Sequence, residues 1–185
     1  MSAAFKGRRE DRRLITGTGR YTADWNQPGQ LYAAFLRADR AHAEIVSINT
    51  KAAASSPGVA CVMTHEDTAA AGLKFPPPFV PYPGKGGQPI KVPQHGILAK
   101  DRVRYVGECV ACVVATSAQI AQDATELIAV DYADLPVVMD PVAALKPGAA
   151  GLYPELKGNL FLDWGIGNEP AVEEAKDSLP GFCLA

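Results

Sequence analysis

Asp101-Arg102-Val103-Arg104-Tyr105-Val106-Gly107-Glu108, followed by Cys109 and the apolar run from Val110 to Ala115, is the stretch whose reading decides the fold. Val103 to Val106 and Val110 to Ala115 read as strands. Gly107-Glu108 is a bend between them, because glycine tolerates backbone angles that other residues avoid. Thr116 and Gln119 then have the spacing of a capping box. Ile120, Ala124, Leu127 and Ile128 fall on one face of a helix running towards Ala129. Val130-Asp131-Tyr132 is a last strand before Leu135-Pro136.

The same plan stands upstream. Leu31 to Leu36 is a nearly continuous apolar run that reads as a buried strand, and Ala43 to Ile48 alternates polar and apolar residues as a second strand. Asn49 or Thr50 can cap a short helix through Lys51 to Ala54, because a side-chain oxygen there satisfies free N–H groups. Pro57-Gly58 stops it, Val59 to Met63 is the return strand, and Thr64-His65-Glu66-Asp67 starts another short helix. Two strand-helix-strand units in sequence predict an α/β (α+β) fold, a sandwich with a mixed sheet.

Between the units, residues 73–98 hold seven of the fifteen prolines together with Gly84, Gly86, Gly87 and Gly96. Proline removes ladder donors and glycine costs backbone entropy, so a long loop is expected, inserted within the domain. The organisation that follows is a basic arm over 1–19, a domain over 20–145 and an extended tail over 146–185. In the tail, Leu160 to Trp164 reads as a strand and Glu169 to Lys176 as a short helix.

The net charge of −2 hides an asymmetry: residues 1–20 carry six basic side chains against Glu10 and Asp11, so the arm is +4 and the rest −6. Interleaved acids and few aromatics speak against nucleic-acid binding, and arginines that pair with a protein partner or with carboxylates elsewhere are the better reading. No apolar run approaches the roughly 20 residues needed to span a bilayer, and the first residues have no apolar leader, so no membrane association and a cytoplasmic location are expected. Reduced thiols are expected at Cys61, Cys109, Cys112 and Cys183. Cys109 and Cys112 form a C-x-x-C, but on a strand such residues face opposite ways, and no second pair or clustered histidine completes a metal site.

Visible chemistry is sparse. His42, before a strand, could bind a ligand, although packing is the simpler role. Glu108, at a strand bend, could act as a general base; the alternative is a salt bridge to Arg102 or Arg104. Asp163 and Trp164 could mark a partner surface. No catalytic and no metal-binding residue is nominated.

Taken in order, several stretches resemble the large subunits of the xanthine dehydrogenase and aldehyde oxidase family, which includes aerobic carbon monoxide dehydrogenase. They are Arg9 to Tyr21, Asp24, Pro28 to Arg37, Ala41 to Ile45, Pro57-Gly58-Val59, Leu98 to Ala115, Val130-Asp131-Tyr132 and Leu135-Pro136. The resemblance implies the α/β hammerhead domain of those enzymes. They hydroxylate aldehydes or heterocycles, or oxidise carbon monoxide, at a molybdenum-molybdopterin centre, with iron-sulfur and FAD subunits as companions. Two departures stand out. Cys109 takes the place of the family's proline after Gly-Glu. Asn168 to Ala175 resembles the lead into the molybdenum domain, but Lys176 to Ala185 replaces the expected strand.

The resemblance therefore implies a fragment or split subunit with a structural and docking role, not catalytic alone and holding no cofactor by itself. Gly107 and Glu108 are the expected cofactor-side residues, only in an assembled complex. Partners would be the molybdopterin domain and the iron-sulfur and FAD subunits, with self-association as a further expectation. The other reading is a stand-alone module that binds a small ligand or protein through loop 73–98 or the Gly107-Glu108 bend.

Overall fold

Apolar residues, continuous along the central strand, build the strands of this protein, and alanines at their contacts let the layers close up. The computed structural model describes residues 7, 8, 10–75, 83–93, 95–165, 170, 171, 174 and 175. In chain order the elements are α1 (Asp11–Ile15), β1 (Tyr32–Arg37), β2 (Ala43–Asn49), α2 (Lys51–Ala54), β3 (Val59–Met63), α3 (His65–Ala70), β4 (Arg102–Val103), β5 (Cys109–Ala115), α4 (Ala118–Thr125), β6 (Ala129–Asp134) and α5 (Pro141–Ala144).

The α/β class holds, but the sheet differs from the expected mixed one. Among the described residues two three-stranded sheets form, in the orders β1-β5-β3 and β4-β2-β6, and every pairing there is antiparallel. In each unit the short helix returns the chain to a different sheet: β2 lies in the second and β3 in the first. The strand-helix-strand pattern fixes the elements but not which neighbour each strand takes, because that choice rests on long-range packing.

One apolar cluster joins α2 and α4 to the first sheet through Ala53, Ala111, Val113, Ala124 and Ile128. A second holds Ala38, Ala43, Ala99, Val103 and Val110 where the sheets approach one another. Ile48 and Val130 pack against both clusters and so tie the two sheets together. Gly58 is held at φ +86, and a Cβ there would lie 2.9 Å from Ile120 Cδ1, so glycine suits the turn before β3 where it seats against α4.

Several local expectations shift. β1 alternates half-buried and exposed residues from Tyr32 to Arg37 instead of being buried throughout. The strand expected over Val103 to Val106 ends at Val103, because the next residues turn to close the bend. Ser117, not Thr116, caps α4: its Oγ accepts the Ile120 N–H at 3.2 Å, while Gln119 donates to Asp123 instead. On that helix Ala121, Ala124 and Thr125 are buried, and Leu127, past its end, is exposed.

The loop and the tail meet. Lys85 N–H donates to the Asp163 carbonyl at 2.7 Å and Lys91 N–H to the Phe161 carbonyl at 3.0 Å. Leu160 to Trp164 therefore lies beside the loop and joins neither sheet. Pro170, Ala171, Glu174 and Ala175 are helical, whereas Glu169, Lys176, Cys183 and loop residues 76–82 and 94 lie outside the described residues. No described helix is long and apolar enough to cross a membrane.

Candidate functional site

The bend between β4 and β5 is held from two sides. Gly107 takes φ +94, which its lack of a Cβ makes inexpensive. Its N–H donates to the Ala38 carbonyl at 2.8 Å, and its own carbonyl accepts from Arg37 Nη1 at 2.8 Å. Ala38 N–H in turn donates to the Glu108 carbonyl at 2.9 Å, so the end of β1 clamps both residues.

Glu108, 9% exposed, turns its side chain back into the bend. Its carboxylate accepts the Arg104 backbone N–H at 2.6 Å and stands 3.9 Å from the Arg104 guanidinium. Burial pushes the Glu108 carboxyl above its ordinary value, against the opposing pull of the Arg104 N–H, the Arg104 charge and His95. Of the two salt-bridge partners considered from sequence, Arg104 is the one engaged; Arg102 pairs with Glu44 at 3.1 Å.

Arg104 is the hub. Its Nε donates to the Leu152 carbonyl and its Nη1 to the Arg102 carbonyl, both at 3.1 Å. Its guanidinium lies 4.5 Å from the centre of the Tyr153 ring, a cation–π contact. The Tyr153 hydroxyl reaches His95 Nε2 at 3.0 Å, and the Tyr153 ring meets Phe161 edge-on at 5.5 Å. Burial raises the Tyr153 hydroxyl above its ordinary value, with Arg104 opposing.

A cavity of about 560 Å³ opens beside this group, lined by Phe75, His95, Arg104, Glu108, Glu155 and His65 among others. A second, of about 630 Å³, lies between β2 and α3 and shares His65, Lys100 and Asp101 with the first. His65 Nδ1–H donates to the Leu98 carbonyl at 3.1 Å and so stands between them. Glu108 could exchange a proton with a molecule in the first cavity, with Lys74, Lys100 and Arg104 supplying positive charge near it.

His42 lies elsewhere. It is buried, and its Nδ1–H donates to the Pro136 carbonyl at 2.7 Å, which fastens the segment after β6; the structural role holds. Its Nε2 is buried without a hydrogen-bond partner among the described residues. Asp163 pairs with Lys85 at 3.9 Å, and Trp164 is partly exposed near it in sequence. Cys109 is half-buried and Cys112 buried, burial pushes the Cys112 thiol up, and Cys61, Cys109 and Cys112 are free thiols. Among the described residues no group of three or more His, Cys, Asp or Glu side chains could hold a metal ion.

Sequence reasoning singled out Gly107 and Glu108 but missed His95 and Tyr153. The two are 58 positions apart, one in the Pro/Gly loop and one in the tail, so no local spacing could have joined them. An aromatic residue in a turn-rich tail was the only available signal.

Comparison with known proteins adds a family match, two relatives and a solved structure. The family model described as "Aldehyde oxidase and xanthine dehydrogenase, a/b hammerhead domain" matches residues 16–136. The chain is 40% identical over 164 residues to the 6-hydroxypseudooxynicotine dehydrogenase complex subunit gamma of Paenarthrobacter nicotinovorans, covering 89% of this chain and 19% of that one. It is 43% identical over 143 residues to the nicotine 6-hydroxylase large subunit of the same organism, covering 76% and 16%. Among solved structures, quinoline 2-oxidoreductase from Pseudomonas putida 86 superposes with a TM-score of 0.73 at 41% identity, covering 83% of this chain and 19% of that one. The chain thus spans about a fifth of the length of the relatives it matches.

Proposed function

The chain belongs to the aldehyde oxidase and xanthine dehydrogenase family through its a/b hammerhead domain, and on that premise we propose that it serves as the hammerhead part of a molybdenum-dependent hydroxylase or dehydrogenase. Its role in this reading is structural: it docks onto the part that carries the chemistry and does no catalysis alone. The observation that carries the reading is the bend itself. Glu108, Gly107 and Arg104 spend their polar groups on one another, on the end of β1 and on the Arg102 and Leu152 carbonyls, as a rigid support does.

Family members are molybdenum enzymes with iron-sulfur and FAD partners. The described His, Cys, Asp and Glu side chains offer no cluster of three or more ligands for a metal. In this reading the molybdenum-molybdopterin group belongs to the remainder of the enzyme, and the iron-sulfur clusters and FAD to companion subunits. Gly107 and Glu108 serve the cofactor side of the assembled enzyme by holding the shape of the bend that faces it. The substrate would be an aldehyde, a heterocycle or carbon monoxide, chosen by residues outside this chain.

Elemental analysis tests this. The purified chain is expected to hold no stoichiometric molybdenum and to oxidise none of these substrates, and to co-purify with molybdopterin-bearing partners when expressed beside them. Stoichiometric molybdenum in the isolated chain would overturn the reading.

The cavity beside Glu108 favours a second reading, a small-ligand module, because both ends of loop 73–98 line it through Phe75 and His95. A saturable thermal shift with a small ligand, lost in Phe75→Ala, would support that reading over the first.

A further inference from the structure

Two breaks in strand register turn cysteines onto one face of the first sheet. On β3, Val59 and Val62 pack on the side that α2 and α4 cover, with Ala53, Val113 and Ala124. An unbroken strand would set Cys61, two residues from Val59, on that covered side. The register prevents this. Val59 stands opposite Ala115 but Cys61 opposite Val114, so Ala60 is the extra residue of a bulge and Cys61 turns to the other face. β5 has a matching irregularity against β1: Leu36 is opposite Ala111 and Arg37 opposite Cys109, which leaves Val110 as the extra residue. Cys109 thereby shares the face of Arg37 and Phe35, and Cys112, directly opposite Phe35, lies on it as well. The bulge thus overturns the expectation that Cys109 and Cys112 face opposite ways.

Met63 completes the set. It stands opposite Cys112 on the side away from Phe35, two residues from Cys61. Directly opposed Cβ atoms of an antiparallel pair are about 5 Å apart and diagonal ones about 7 Å. Two sulfurs bound to one cation at about 2.3 Å each stand up to about 4.6 Å apart. Met63 and Cys112 are an opposed pair and Cys61 is the diagonal neighbour, a span that two thiols and a flexible thioether arm close by side-chain rotation. Cys61 is exposed, Met63 half-buried and Cys112 only 5% exposed, so the three sulfurs run from the surface inwards. Phe35 walls the set on the β1 side, and Leu31 and Ala33 continue that exposed apolar row. Burial pushes the Cys112 thiol up, and the nearness of Cys61 and then of Cys109 pushes it further.

We propose that Cys61, Met63 and Cys112 form a three-sulfur site for a soft monovalent cation, Cu(I), on the open face of the first sheet beside its edge strand β3. This goes beyond the docking reading and does not depend on it. The donor set selects the ion. Thiolate with thioether suits Cu(I), whereas a structural zinc takes four ligands, drawn from Cys, His, Asp and Glu. No group of three such residues is placed for a metal among the described residues, so Met63 is the donor that makes the site. Cys109 stands apart, opposite Arg37 beyond the bulge. On binding, the two S–H bonds break and two protons leave to solvent. Two thiolate–copper bonds and one thioether–copper bond form, and copper stays Cu(I), so no electron moves.

Anaerobic titration of the full chain with Cu(I), in competition with a bathocuproine chelator, tests the site. Every protein compared carries Cys183→Ser, so that the thiol outside the described residues takes no part. The parent should bind one equivalent, show three-coordinate, sulfur-only copper by X-ray absorption, and bind more tightly as pH rises because protons are released. Cys61→Ser should weaken binding by at least about 100-fold, the upper end of what loss of an outer-shell partner costs. Met63→Leu, which conserves volume, should weaken it by about tenfold or more. Cys109→Ser should leave it unchanged. Circular dichroism should show all three variants folded, since Cys61 is exposed and the other changes are small. A parent that fails to hold copper against the chelator overturns the site. So does undiminished binding in folded Cys61→Ser or Met63→Leu, or an oxygen or nitrogen ligand in the absorption spectrum. Loss of binding in Cys109→Ser would give the ion to the C-x-x-C pair and overturn the assignment.

Discussion

The Glu108 carboxylate accepts the backbone N–H of Arg104 at 2.6 Å while the Arg104 guanidinium stands 3.9 Å away, so one side chain both closes the bend and shares the space of its counter-charge. The two contacts differ in kind. The first is a short charge-assisted hydrogen bond, and the second is too long to be one. Glu108→Gln keeps an oxygen for the Arg104 N–H and should change stability by less than about 1 kcal/mol at neutral pH. Glu108→Ala leaves that N–H buried without its partner and should cost about 1–3 kcal/mol. Urea denaturation of the two variants separates the contributions; equal losses would mean that the charge, not the hydrogen bond, holds the bend.

The same carboxyl sets a pH dependence. Burial raises it above the ordinary value of 4.5. The folded state therefore holds its proton more tightly than the unfolded chain. The stability this brings is fully present below about pH 4.5 and is lost as pH rises through the raised value. The wild type should thus lose stability relative to Glu108→Gln as pH climbs from about 4 towards 7. Paired urea titrations across that window check the sign, and a constant difference would show that Glu108 is not the group responsible.

Two glycines with similar backbone angles should respond differently. Gly107, at φ +94, has nothing within 4 Å of where a Cβ would stand, so Gly107→Ala should cost only the backbone strain, about 1–2 kcal/mol. Gly58, at φ +86, would bring its Cβ 2.9 Å from Ile120 Cδ1 and 3.0 Å from Thr116 Oγ1. Gly58→Ala should therefore cost more, and Gly58→Ala with Ile120→Val should recover part of the difference in thermal unfolding.

Capping of α4 gives a sharper contrast. Ser117 Oγ accepts the Ile120 N–H, and the neighbouring Thr116 makes no such cap. Ser117→Ala should cost about 1 kcal/mol, and the exposed Thr116→Ala much less. The midpoint of denaturant unfolding distinguishes them, and equal effects would return the cap to Thr116.

What was legible in the sequence follows from local pattern. Val110 to Ala115 is continuously apolar and includes three β-branched valines, so β5 was clear; Pro57-Gly58 and Gly107 marked real turns because proline and glycine restrict or free the backbone wherever they stand. The cap of α4 slipped by one residue because Thr116 and Ser117 both carry a hydroxyl, and only the direction of the chain leaving β5 selects between them. The short β4 was overextended because Tyr105 and Val106 suit a strand as residue types but are turned outward by the closing of the bend.

The Asp101 to Ala129 stretch by itself determined the order of strand, bend, strand and helix, and with its flanking stretches it determined the family, since periodicity, turn residues and caps act over a few positions. The tertiary structure decided which strands pair, that Glu108 faces Arg104 rather than Arg102, and that His95 and Tyr153 meet beside them. It also decided that Leu31, Ala33 and Phe35 stay uncovered on one face of a sheet. Those outcomes depend on contacts between residues tens of positions apart, whose energies come from burial and pairing across the fold and leave no trace in local spacing.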